Sequence, residues 1–94
     1  MREQLWRIIV GTNGGEKRAR IITALDHRPC STSQLAERLD EHYNTVRYHL
    51  EILREENVVK PSGNDYGEVY FLTDEFEQHS EDFEEILDHI DLGS

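Results

Sequence analysis

Between residues 31 and 72 the apolar period of the sequence changes once, and that change dictates most of the fold. Ser31-Thr32-Ser33-Gln34 is a capping-box pattern, and Leu35, Ala36 and Leu39 then fall on one helical face. Asp40-Glu41-His42 makes a polar turn. The next helix carries Val46, Leu50 and Leu53 at i, i+4 and i+7, with Ile52 on its flank. Asn57 stands where a left-handed capping residue belongs, a place usually held by Gly that Asn tolerates. Beyond it the period drops to two. Val58-Val59-Lys60 and Glu68-Val69-Tyr70-Phe71-Leu72 are β-branched and aromatic, and the Pro61–Gly67 stretch between them predicts a β-hairpin with a long tip.

A short helix, a tight turn, a second helix and then a hairpin is the winged helix-turn-helix order. The expected architecture is mainly α with a small β-hairpin wing: helix-turn-helix about 31–56, wing about 58–72 and a C-terminal helix about 74–90. Upstream, residues 3–10 read as a first helix, although their periodicity also fits a strand. Gly11-Thr12-Asn13-Gly14-Gly15 breaks the chain, and Asn13 with Glu16 resembles a capping box opening a helix to about Asp26. Pro29 ends that element. Downstream, Thr73 or Asp74 with Glu77 starts the last helix, whose stripe is Phe76, Phe83, Leu87 and Ile90, with Ile86 beside it. That stripe is expected to pair with Trp6, Ile9 and a partner chain, or else to pack into its own core.

Ninety-four residues support one core, so residues 1–94 are expected to form a single domain that a dimer interface would help to stabilise. No apolar run reaches the roughly 18 residues that a membrane span needs, and Met1-Arg2-Glu3-Gln4 opens no signal peptide. A lone Cys30 gives neither a disulfide framework nor a metal cluster, so the cytoplasm is the expected location.

The formal net charge is −10, but it is unevenly placed. Residues 1–60 hold all ten Lys and Arg against nine acids, a net of +1; residues 61–94 hold eleven acids and no Lys or Arg, a net of −11. The acid serves either as a surface for a basic partner or as a solvation device. Two Lys against eight Arg, with abundant Asp and Glu, is similar to proteins of salt-loving archaea. In multimolar salt a short Debye length makes such self-repulsion tolerable.

The second helix of the pair meets the demands of a groove-reading helix. Its inner face needs an apolar stripe, supplied by Val46 and Leu50, and its outer face needs groups that donate and accept toward base edges about 12 Å across the major groove. Tyr43, Asn44, Thr45, Arg47 and Tyr48 remain for that face. Arg suits guanine, Asn suits adenine, and Thr and Tyr serve bases or phosphates. A solvated amphipathic face is usually richer in Glu and Lys. His42 at the helix start, Lys17 and Arg18 beside the glycines, and Lys60, Asn64 and Tyr66 in the wing complete the candidate DNA-binding set.

Ser33-Gln34-Leu35-Ala36-Glu37-Arg38-Leu39, with Leu35-Ala36, Val46, His49-Leu50, Leu53 and Val58-Val59 as the matching positions, resembles the ArsR-type winged-helix regulators over residues 16–73. The Thr45-Val46-Arg47-Tyr48-His49-Leu50 form and Val69-Tyr70-Phe71-Leu72-Thr73 are most similar to archaeal, and in particular haloarchaeal, members. The resemblance implies a homodimer on a roughly palindromic operator, with terminal helices at the interface. Three departures narrow it. The Cys-x-Cys pair of metal-sensing members is missing, and the five histidines lack i, i+4 ligand spacing, so neither a metal nor a cofactor is expected. Cys30 reads as a small buried residue, with redox sensing as the alternative, and His49 as a packing residue or a phosphate contact. The wing tip carries Asp65 and Lys60 is the only nearby cation, so wing contact with DNA is weak.

The Gly11–Lys17 stretch departs from a P-loop at Glu16 and Arg18, although its amides beside Lys17 and Arg18 suit a DNA phosphate. No nucleophile–base pair or carboxylate pair marks an enzyme. The expected function is sequence-specific binding of double-stranded DNA by a homodimer that regulates transcription. The alternative is a winged-helix protein-interaction module of the archaeal transcription or replication machinery.

Overall fold

A computed structural model describes residues 1–63 and 68–90. Helix α1 (Arg2–Ile9) is followed by α2 (Gly15–His27), a two-residue strand β1 (Cys30–Ser31), α3 (Thr32–Leu39) and α4 (Tyr43–Glu55). Strands β2 (Val59–Pro61) and β3 (Val69–Leu72) come next, then a single-turn helix α5 (Asp74–Glu77) and α6 (Ser80–Ile90). Of the two readings of residues 3–10, the helix is the one found, over Arg2–Ile9. None of these helices is long and apolar enough to cross a membrane.

Helix termini follow their local chemistry. At α3 the capping box is complete: Ser31 Oγ accepts from the Gln34 amide at 3.1 Å, and Gln34 Oε1 accepts from the Ser31 amide at 2.8 Å. Asn57 adopts φ 62°, and the Val58 amide beyond it reaches back to the Leu53 carbonyl at 2.9 Å. At α2 the Asn13–Glu16 expectation fails. The chain turns through the left-handed region at Gly14 (φ 86°), which is itself the N-cap and has no side chain to contribute. What fixes that start is contact: Gly15 is pressed against the backbone of Ile9, leaving no space for a β-carbon.

The sheet is antiparallel with order β1-β3-β2. The hairpin was expected, but β1 was not; it pairs Cys30 with Tyr70 and Ser31 with Val69, tying the start of α3 to the wing. Pro61 lies on the outer strand β2, where its missing N–H does least harm. Residues 64–67, including the wing candidates Asn64 and Tyr66, lie outside the described residues.

The predicted C-terminal helix is two helices rather than one. Thr73 starts α5, accepting from the Phe76 amide at 3.1 Å and donating to the Asn57 carbonyl at 2.7 Å. The His79 amide then bonds the Phe76 carbonyl three residues back, which tightens the turn, and the His79 ring pairs with Asp82 at 2.9 Å as α6 begins. The core takes Leu5, Ile21, Ile22, Leu35, Leu50, Leu53 and Ile86 from five helices. Of the C-terminal stripe, Phe76 and Phe83 are buried within the chain, their rings edge to face at 5.5 Å, while Leu87 and Ile90 remain half-buried. Ile86, placed beside the stripe by periodicity, is the most buried residue of α6.

Candidate nucleic-acid interface

Helix α4 is held by its inner face. Val46, His49, Leu50 and Leu53 are all buried. With that stripe fixed, the helical period turns the intervening residues outward. Tyr43 is 49% exposed and Tyr48 60%, unusual for large aromatics, and Asn44 and Arg47 are exposed beside them. Thr45 is half-buried and His42, the N-cap, is exposed. Five of the residues expected to face a ligand thus share one helix face or its start, with Thr45 at its edge.

A cleft of about 380 Å³ separates this face from the base of the wing. Tyr43, Arg47 and Glu51 line one wall, the Ser31-Thr32-Ser33 start of α3 another, and Glu68 and Tyr70 the third. Burial and the neighbouring Glu68 carboxylate hold the Tyr70 phenol above its ordinary pKa, and its hydroxyl donates to Glu68 at 3.2 Å. The α3 start was not among the candidates. Its only sequence signal is the capping box, which fixes where the free helical amides point without revealing that β1 draws them alongside β3.

Lys17 and Arg18 behave differently from each other. Lys17 is exposed and pairs with Glu41 at 3.1 Å, joining the start of α2 to the α3–α4 turn. Arg18 requires correction: it is only 5% exposed and unavailable to an outside phosphate. Its Nη1 donates to the Ile8 carbonyl at 2.7 Å and its Nε to His49 Nδ1 at 3.2 Å. The first bond satisfies an orphan carbonyl at the end of α1, a strong use for a guanidinium. The glycine amides are no phosphate cradle either, since Gly15 is buried and Gly14 lies against the His49 ring. Sequence spacing could not reveal this, because Arg18 and His49 are thirty-one residues apart.

His49 is buried, as packing required. Accepting at Nδ1 leaves its proton on Nε2. Burial first, and then the positive charges of Arg18 and Lys17, hold its pKa below the usual histidine value, against a smaller opposing pull from Glu41. Lys60 is exposed on β2. Cys30 is buried; its thiol donates to the Arg28 carbonyl at 3.4 Å and accepts from Arg38 Nη1 at 3.1 Å. Among the described residues no three His, Cys, Asp or Glu side chains gather as a metal-ion site.

A family of helix-turn-helix domains matches residues 16–61, from the start of α2 to the end of β2. Among solved structures, a protein of unknown function from Listeria innocua superposes with a TM-score of 0.68 at 15% identity, over 90% of this chain and 61% of that one. A mutant of ZitR from Lactococcus lactis superposes with a TM-score of 0.58 at 20% identity, over 79% of this chain and 56% of that one. The fold is a winged helix-turn-helix. In it α3 and α4 are the helix pair, α4 occupies the recognition-helix position, and β2–β3 form the wing. The chain spans less than two thirds of the length of either neighbour. No curated protein matches the sequence.

Proposed function

We propose that this winged helix-turn-helix protein is a DNA-binding transcriptional regulator that reads sequence through α4 as a homodimer. The observation that carries the reading is the outer face of α4, where two exposed tyrosines, Asn44 and an exposed Arg47 stand on a helix immobilised from behind. Exposed aromatics and short polar groups are poor choices for mere solvation and good ones for base edges and phosphates. Arg47 reads a base edge, Asn44 a second, and Tyr43, Tyr48 and His42 position the backbone. Ser33 at the α3 start and Lys17 add phosphate contacts, while Lys60, Asn64 and Tyr66 contribute little beside Asp65. Half-buried Trp6 and Ile90 are the surface on which the terminal helices pair. The ArsR-type, haloarchaeal character, the cytoplasmic location and the absence of catalysis belong to this same reading.

In vitro selection of bound DNA in multimolar KCl supplies the operator and shows whether it is palindromic. On that operator Arg47→Ala should weaken binding about tenfold or more, since a good Arg–base contact is worth roughly 1–3 kcal/mol. Unchanged affinity of the folded variant refutes the role of α4, and a monomer bound to a single half-site refutes the dimer.

A second reading, a protein-interaction module, is favoured by the acidic half of the chain and by Glu51 and Glu68 in the cleft beside Arg47. Capture of a polymerase subunit with no DNA selected at any salt concentration decides for it.

A further inference from the structure

A separate groove of about 450 Å³ opens where α2, α3 and α6 meet. Its size falls within the roughly 300–1,000 Å³ of small-ligand sites. Ala24, Leu39 and Leu87, one from each helix, supply apolar surface, while Arg20, His27 and Arg38 supply donors. Glu16 is the one carboxylate lining it among the described residues.

Charge distinguishes this groove, where two guanidiniums stand against one carboxylate. The chain carries twice as many acids as Lys and Arg, and Arg2, Arg7 and Lys17 each hold a carboxylate. Arg20 and Arg38 hold none among the described residues, although both face one concavity. Among the described residues Arg28, Arg47, Arg54 and Lys60 also hold no carboxylate, but none of them lines this groove, and the cleft at Arg47 already contains two carboxylates. Arg38 gives one N–H to Cys30 Sγ, which anchors the guanidinium and leaves its other donors available.

We infer that this groove binds a small amphipathic anion, an aliphatic monocarboxylate whose chain lies on Ala24, Leu39 and Leu87 and whose head is held by Arg20 and Arg38. Two guanidiniums match the fork of a carboxylate, and His27 adds a third donor. Glu16, one helical turn before Arg20 on α2, offsets one of the two guanidinium charges, so the groove suits a singly charged head. No α4 residue lines the groove, and ligand binding there is measured without DNA.

Octanoate is the probe, titrated into the full chain at high KCl and followed by calorimetry and by the methyl resonances of Ala24, Leu39 and Leu87. Saturable one-to-one binding that shifts these methyls is expected. Affinity should drop about tenfold or more in Arg20→Gln/Arg38→Gln with an unchanged far-UV spectrum, because two charge-assisted contacts are lost. On the unaltered protein, 1-octanol should bind about tenfold or more weaker than octanoate, a comparison independent of how the variant folds. Equal affinity for octanol and octanoate overturns the proposal, as does undiminished binding by the folded variant. Absence of saturable binding, or methyl shifts that follow protein concentration alone as a second copy covers the groove, overturns it as well.

Discussion

Replacing Gly15 with alanine sets two effects of opposite sign against each other. In a helix, Gly→Ala normally stabilises by roughly 0.5–1 kcal/mol, because the unfolded chain loses freedom that glycine alone enjoys. Here the added β-carbon would overlap the Ile9 carbonyl oxygen and lie 2.5 Å from its carbon and 2.9 Å from its Cα. Real β-carbons keep at least 3.0 Å from such neighbours, so α1 and α2 must part by more than an ångström. Every atom in the clash is backbone, so no rotamer change relieves it. Overpacking costs typically 1–3 kcal/mol, occasionally more, and this case belongs at the upper end.

The net expectation for Gly15→Ala is a loss of about 2 kcal/mol, a fall in melting temperature of roughly 8–16 °C for a domain this small. Gly11→Ala is the control: its β-carbon would meet only the Arg7 carbonyl oxygen at 3.7 Å, an ordinary contact. That variant should hold or gain up to about 1 kcal/mol. Thermal unfolding by circular dichroism at fixed high salt separates the two. A Gly15→Ala protein that melts at or above the unaltered one refutes the reasoning.

Ser31→Ala removes an acceptor from the α3 capping box and should cost about 1 kcal/mol, or a melting temperature lower by roughly 4–8 °C. Neutral His49 is favoured by the fold and its pKa is held down, so the unfolded chain takes up a proton first as pH falls. Stability from this residue is fully present above the unfolded value of about 6.5 and is lost as pH falls below it toward the folded value. Melts of the native protein and His49→Gln between about pH 8 and 5 should therefore converge toward acid; a constant gap contradicts the assignment. Operator binding should depend only weakly on KCl, with a log–log slope between zero and about −2, because few free cations flank α4. A slope of −5 or steeper in a titration counts against the interface described.

Periodicity made the helix pair and the hairpin legible, since each buries one regular face: Val46, Leu50 and Leu53 inward in α4, Tyr70 inward in β3. Capping chemistry worked where side chains make the cap, at Ser31 and Thr73, and failed at Asn13, where helix-to-helix contact at Gly15 sets the start. The break at His79 left no mark, because no Pro or Gly signals it and Phe76 and Phe83 keep a heptad spacing that suits one continuous helix. Strand β1 was hidden for a similar reason: two residues carry no period. The outer face of α4 was readable as the complement of its inner stripe. Arg18 was misplaced because a basic residue beside glycines looks the same whether it meets an outside anion or an inward carbonyl.

That inward arginine has a mechanical consequence. By bonding the last turn of α1 and the ring of His49, it pegs α1, α2 and α4 at one point, so tilting α4 alone means breaking a buried charge-assisted bond. Helix α4 is therefore preset, and if it reads DNA as proposed, little ordering entropy would be spent on binding. In the proposed homodimer, a change in DNA binding would then come from turning whole domains relative to each other rather than from tilting α4 within one.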